Sequence, residues 1–205
     1  MRKLAPKGVV CGLDEVGRGS IAGPLTVACV ALPDEPQVVG IDDSKKLSPK
    51  RREKLAACIE ETALGIGIAH IAPEEIDAAG MAASLRAAFG RALEESKNDL
   101  ESRGNERYVE GVLIDGNPLH LNENEVSIVK GDAKVACIAA ASIVAKVERD
   151  ALMRGYAKEF PQYCFESNKG YGSAAHIKAL KRVGPCSIHR RSFLGNILAE
   201  QQTLL

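Results

Sequence analysis

The chain has 205 residues, no net formal charge, 45 % apolar and 26 % charged side chains, the make-up of an ordinary folded domain with a core and a charged surface. Zero net charge argues against wholesale non-specific attraction to polyanions, and no apolar run approaches the roughly 20 residues that span a bilayer. The opening residues lack a basic-then-apolar leader, so a cytoplasmic protein with no membrane attachment is expected. Six cysteines are dispersed without a CxxC pair and read as free, mostly buried thiols rather than zinc ligands or a disulfide framework.

Taken in order, residues 8–15 and 25–32 read as apolar strands joined by a glycine-containing turn. Ser48-Pro49 supplies an N-cap and a first-turn proline, and Leu55, Ile59 and Ala63 recur at four-residue spacing, which predicts a helix over 49–63. Residues 65–71 alternate small and β-branched side chains and predict a strand. Leu85, Ala88, Phe89, Ala92 and Leu93 form one face of a helix over 81–97, and the polar stretch 97–107 reads as a surface loop. Strands over 108–114 and 126–129 precede an Ala-rich helix over 133–158, and the last fifty residues read as short helices and loops. This order gives a mixed α/β architecture around one sheet. A single domain is expected over 1–205, with a core to about residue 160 and a C-terminal helical part over about 161–205.

Three apolar segments run into an acid beside glycine: "GLDEVG" (Asp14, Glu15), "VLIDGN" (Asp115) and "IVKGDAK" (Asp132). One such end is an ordinary turn, but strand ends of an open sheet are where ligands collect. Four carboxylates at one place repel each other unless a cation sits among them. Magnesium and manganese prefer such hard oxygen donors, and two such ions can serve phosphodiester displacement. In a regular strand Asp14 and Glu15 point to opposite faces, so both reach one site only where the strand ends or twists. Asp150, expected about 27 Å along the same helix from Asp132, reads as structural. Charge is also uneven: residues 167–198 hold six Lys or Arg and no carboxylate, and residues 45–54 hold six basic residues against one acid. Basic patches on a neutral chain suggest a defined anionic groove.

The motifs DEVGRG, DSKKL, LIDGN, KGD, AASIVAKVERD, KGY and HRRSF resemble, in this order and over residue 8 to about 195, those of bacterial ribonuclease HII, the type 2 ribonuclease H. Ribonuclease HIII usually has GKG where Gly17-Arg18-Gly19 stand here, and carries an extra N-terminal domain for which this length leaves no room. The resemblance implies a ribonuclease H-like fold, a mixed five-stranded sheet flanked by helices with a C-terminal helical extension. It implies endonucleolytic cleavage of RNA hybridised to DNA, including 5′ of a lone ribonucleotide in duplex DNA, leaving 3′-hydroxyl and 5′-phosphate ends. The implied role is removal of misincorporated ribonucleotides and RNA primers.

By the same resemblance Asp14, Glu15, Asp115 and Asp132 match metal-binding catalytic acids that use two Mn²⁺ or Mg²⁺ ions. Gly17-Arg18-Gly19 match the loop that contacts the ribose 2′-hydroxyl, and Tyr171 matches a tyrosine that stacks on the sugar beyond the junction. The 2′-hydroxyl distinguishes RNA from DNA, and glycines let backbone approach a sugar closely. Lys45, Lys46, Lys169, Arg190 and Arg191 are candidates for phosphate contacts; exposed basic residues are equally often just solvated. Ser20 stands where proline commonly follows GRG and is expected to loosen the turn, while Asn168 and Ser173 replace the common His and Thr around KGY. Gln201-Gln202-Thr203-Leu204-Leu205 loosely resemble peptides that dock on bacterial sliding clamps, or simply finish a helix. A monomer is expected. Another metal-dependent phosphohydrolase would use the acids but leaves GRG and Tyr171 unexplained. A hybrid-binding module without activity explains the basic clusters but leaves the carboxylates as a repulsive burden.

Overall fold

The computed structural model describes residues 7–34, 47–195, 197 and 198. In chain order the elements are β1 (Gly8–Val16), β2 (Leu25–Ala31), α1 (Pro49–Thr62), β3 (Gly65–Ile71), α2 (Pro73–Ala79), α3 (Met81–Ser102), β4 (Tyr108–Asp115), β5 (Glu125–Ile128), α4 (Ala136–Glu159), α5 (Phe165–Asn168) and α6 (Ala174–Val183). The strands form one five-stranded sheet in the order β3-β2-β1-β4-β5. β1 pairs antiparallel with β2 and parallel with β4, and β4 pairs parallel with β5. The sheet is therefore mixed, as expected. Among the described residues no helix is long and apolar enough to cross a membrane.

The described residues fall into two compact units. The first takes those up to Val16, Thr26–Ala69 and Arg86–Val147; the second takes Gly17–Leu25, His70–Leu85 and those from Glu148 onward. Segments 17–25 and 70–85 thus group with the residues from Glu148 onward.

In the first unit every residue of β2 is buried, so its largely apolar run LTVACVA faces cover on both sides of the sheet. Ala28 and Val30 share a core with Leu55 and Ile59 of α1 and with Ala140, Ala141, Ile143 and Val144 of α4. α4 approaches β1 closely: a Cβ on Gly12 would lie 2.2 Å from the Cys137 carbonyl carbon and 2.3 Å from the Ile138 nitrogen. β3 is an edge strand, and α3 protects it. The Asp99 and Glu95 carboxylates accept the Ile66 and Ile68 N–H groups at 2.8 and 2.9 Å, which occupies donors that another chain could otherwise pair with. Gly67 permits this approach, since a Cβ there would meet the Ala92 carbonyl oxygen at 2.0 Å.

Three sequence expectations need correction. α3 continues through residues 97–102, which read as loop, because Leu100 extends its buried face while the polar residues serve β3 or solvent. α2 is too short for an apolar repeat to announce it, and is held by Pro73 and by the Glu75 carboxylate on the Ala72 N–H. α4 starts at Ala136 rather than 133, since Gly131–Ala133 form a separate 3-10 turn.

The core of the second unit gathers Ile21, Ala22, Met153, Tyr163, Phe165, Leu180, Ile188 and Leu194. Two buried histidines lie within it. The Cys186 N–H donates to His189 Nδ1 at 3.0 Å, the two Nε2 atoms of His189 and His176 are 3.0 Å apart, and His176 Nδ1 is 2.9 Å from the Tyr171 carbonyl. A backbone N–H only donates and a carbonyl only accepts, so one tautomer pattern satisfies the chain: His189 Nε2–H donates to His176, and His176 Nδ1–H to Tyr171. Both rings are neutral in it. Burial lowers both pKa values, that of His189 to about 4, with the neighbouring His176 adding to its shift.

Gly12→Ala is expected to destabilise the protein by about 2 kcal/mol or more, because backbone rather than a flexible side chain blocks the added methyl; unchanged denaturant unfolding would contradict this packing. The histidine pair predicts an acid weakness. Below the ordinary value of 6.5 an unfolded histidine takes up a proton that the buried pair resists, so stability is complete above that pH and declines as the pH falls toward about 4. Melting temperature should drop less steeply over this range in His189→Phe than in the unsubstituted protein, and equal slopes would refute the assignment.

Candidate active site

The first unit carries the four acids. β1 runs through both Asp14 and Glu15 to Val16, with Asp14 opposite Ala28 and Glu15 opposite Val27. The strand therefore continues past the acids rather than ending on them. Asp14 is 7 % exposed. Burial raises its carboxyl to about 7, a hydrogen bond from Ser142 of α4 and another from the Glu15 N–H oppose the rise, and the Glu15 and Asp115 charges add to it. The Glu15 N–H bond to Asp14 Oδ1 is 2.8 Å.

Asp115 closes β4 and is half-buried. Its Oδ1 accepts the Gly131 N–H at 2.7 Å, and this bond holds the turn on which Asp132 sits. Asp132 is thus not at a strand end, as its sequence context suggested, but buried in the 3-10 turn Gly131–Ala133, after a left-handed Lys130 (φ 56°). A Cβ on Gly131 would lie 2.6 Å from Ile138 Cδ1, so the Ile138 side chain would have to shift to admit one. Asp14, Glu15 and Asp115 interact by charge, while Asp132 is tied to Asp115 through its turn. Among the described residues no three His, Cys, Asp or Glu side chains are drawn into one tight metal-ligating group. The donors themselves are all hard carboxylate oxygens. A carboxylate made costly by burial and by like charges is one that a divalent cation would stabilise, so Asp14 and its neighbours fit magnesium or manganese.

Ser142 was not among the sequence candidates, although it lies within AASIVAKVERD; nothing in the chain signals that this serine faces Asp14. Lys45 and Lys46 lie outside the described residues. The rest of their basic cluster is described: Lys50, Arg51 and Lys54 line a hollow of about 390 Å³ with Ser48 and Leu55.

The second unit carries the remaining candidates. Arg18 and Gly19 are exposed and Gly17 is buried. Gly17 has φ +86°, and a Cβ on it would lie 2.2 Å from Arg149 Nε, whereas among the described residues a Cβ on Gly19 would meet nothing within 4 Å. The turn is not loosened by Ser20. That residue is fully buried, and its N–H and hydroxyl both donate to the Gly17 carbonyl, at 3.3 and 2.9 Å.

Lys169 and Gly170 are both left-handed (φ 51° and 84°), which presents Tyr171 at 39 % exposure. Asn168 makes this turn: its Oδ1 accepts the Gly170 N–H at 2.8 Å and its Nδ2 donates to the Tyr163 carbonyl at 2.7 Å. Ser173 caps α6 through the His176 N–H, a role a threonine hydroxyl also fills. Lys169 is half-buried with its ammonium on the Glu166 carbonyl. Arg191 is exposed, and its N–H donates to Asp77 of α2 at 2.7 Å.

Arg190 does not fit the expected phosphate contact. It is fully buried, and its Nε and Nη1 donate to the Gly23 and Arg18 carbonyls, both at 3.0 Å. Burial lowers its pKa to about 10, with the Arg149 charge adding to the effect. Arg190 braces the loop from behind instead of facing solvent.

Residues 11–195 match the family model described as Ribonuclease HII. A ribonuclease HII of Caldanaerobacter subterraneus is 44 % identical over 199 residues, covering 96 % of this chain and 79 % of its own. One of Endomicrobium trichonymphae is 46 % identical over 186 residues, covering 90 % and 84 %. Among solved structures, the complex of PCNA with ribonuclease HII from Archaeoglobus fulgidus aligns with a TM-score of 0.74 at 28 % identity, covering 92 % of this chain and 96 % of that one. The mixed five-stranded sheet with its helices is a ribonuclease H-like fold, and the chain belongs to the ribonuclease HII family.

Proposed function

We propose that this ribonuclease, a metal-dependent hydrolase that cuts RNA paired with DNA, also cuts 5′ of a single ribonucleotide in duplex DNA, leaving 3′-hydroxyl and 5′-phosphate ends. Its task on this reading is to remove misincorporated ribonucleotides and RNA primers in the cytoplasm. The observation that carries the proposal is the buried Asp14 carboxyl, pushed up to about 7 and crowded by Glu15 and Asp115. A purely structural aspartate gains nothing from like charges around it, whereas an acid that shares a cation does.

Asp14, Glu15, Asp115 and Asp132 would hold two Mn²⁺ or Mg²⁺ ions. When bound, such ions activate water and neutralise charge at the attacking and leaving oxygens of a phosphodiester. Ser142 orients the Asp14 carboxylate, and the Gly131 N–H fixes Asp115. In the second unit the backbone of Gly17-Arg18-Gly19 tests the sugar for a 2′-hydroxyl. The open space at Gly19 supports this: among the described residues nothing lies within 4 Å of where a Cβ would be. Tyr171 stacks on the sugar beyond the junction, and Lys169 and Arg191 are available to phosphate.

A second reading concerns a partner. The ribonuclease HII of Archaeoglobus fulgidus is found in complex with PCNA, which favours docking on a sliding clamp; residues 201–205, outside the described residues, are the candidate segment.

With Mg²⁺ or Mn²⁺ and a DNA duplex containing one ribonucleotide, cleavage 5′ of that nucleotide is expected, beside no cleavage of an all-DNA control. Asp14→Asn should lower the rate by roughly a thousandfold. Cutting of the control, or undiminished activity in Asp14→Asn, would overturn the proposal. Deleting residues 201–205 should abolish binding to a bacterial sliding clamp in a pull-down while leaving cleavage intact; unchanged binding refutes the tail's role.

A further inference from the structure

Arg149 and Arg190 are the two largest fully buried side chains among the described residues. Burying guanidinium groups carries a desolvation cost, and apolar side chains of similar volume would often fill such space at least as stably. What an apolar side chain cannot do is hold several oxygens in one plane.

Arg149 does this for two separate stretches of chain. Its Nε donates to the Pro24 carbonyl at 2.8 Å, and its Nη2 to Ser20 Oγ at 2.9 Å and the Ala22 carbonyl at 3.2 Å. Its Nη1 donates to the Lys169 carbonyl at 2.8 Å. Its Cζ stands 5.6 Å from the centroid of the Tyr171 ring, within the range of a cation–π contact. The two stretches also bond directly, through the Ile21 and Ala22 N–H groups on the Gly170 carbonyl at 2.9 and 3.1 Å. Gly17 and Gly170 permit the fit: a Cβ would lie 2.2 Å from Arg149 Nε at the first and 2.2 Å from the Ala22 carbonyl oxygen at the second.

Ser20 belongs to the same device. Its hydroxyl accepts from Arg149 and donates to the Gly17 carbonyl, so the guanidinium is coupled to the first glycine of the turn through one side chain. A proline there has neither group.

We propose that Arg149 is the positioning residue for ribose recognition, fixing the Gly17–Pro24 backbone against the Lys169–Tyr171 backbone and so setting where the glycine turn and the Tyr171 ring meet a sugar. This rests on the single-ribonucleotide reading above. Arg149 touches no substrate; it acts through the two stretches it holds. A long RNA/DNA hybrid offers a 2′-hydroxyl at many registers and tolerates a displaced turn. A lone ribonucleotide offers one, so the two substrates should respond unequally.

The test compares Arg149→Lys and Ser20→Ala with the unsubstituted protein, by kcat/KM on both substrates and by backbone hydrogen exchange. Arg149→Lys keeps the charge but lacks the planar fork. It should lower kcat/KM on the single-ribonucleotide duplex at least about tenfold more than on a long hybrid. Exchange at Ile21 and Ala22 should quicken, with β2 amides 27–30 unchanged. Ser20→Ala should act in the same direction by about threefold, and it decides the matter should Arg149→Lys not fold. An unchanged substrate ratio overturns the proposal, as does exchange that is unaltered or quickens evenly through both units. An unsubstituted protein that cuts neither substrate overturns the proposed function instead, and local exchange then still decides whether Arg149 fixes the two stretches.

Discussion

A carboxylate buried among other carboxylates has to be held there by the rest of the fold, and Asp14 is that residue. Its buried place on the central strand and the charges of Glu15 and Asp115 make ionisation costly, and a hydrogen bond from Ser142 of α4 offsets part of that cost. The cost can be sustained only because the strand is pinned on both edges by β2 and β4 and covered by a helix that cannot slide away. Gly12 is what lets that helix come close, since its missing side chain leaves space for the Cys137–Ile138 backbone. The small residues Ala140 and Ala141 continue the contact along the same helix. Small side chains here act at a distance: they bring the Ser142 hydroxyl to the acid.

The second unit solves a different problem with similar means. Its loops have little regular structure with which to satisfy their carbonyl groups, and buried arginines supply the donors. Arg149 and Arg190 between them engage carbonyls of Arg18, Ala22, Gly23, Pro24 and Lys169. Neutral carbonyl dipoles share out each buried charge, and the planar groups fix the loops in return. The two neutral histidines behind Tyr171 extend this logic, because the Cys186 N–H at one end and the Tyr171 carbonyl at the other leave one consistent tautomer pattern.

The strands and long helices were legible because their apolar periodicity is local, and the motif order alone pointed to the family. The four acids were legible as residue types beside glycine. Their settings were not. β1 passes through Asp14 and Glu15 because its pairing with β2 continues to Val16↔Thr26, and pairing partners lie outside any local window. Asp132 sits on a turn held by Asp115, a bond between residues sixteen positions apart. α3 outran its expected end because Leu100 finds a core that a polar stretch does not announce.

The sequence by itself determined the order of the strands and long helices, the mixed α/β class and the family, since each of these is carried by neighbouring residues. Only the tertiary structure decided which basic residues are free to meet an anion. Arg190 and Arg191 are adjacent and chemically alike, yet one is sealed behind the glycine turn and the other faces solvent. It also decided that Ser20 tightens its turn, because a serine hydroxyl becomes a tie only when a donor such as Arg149, more than a hundred residues away, is folded against it.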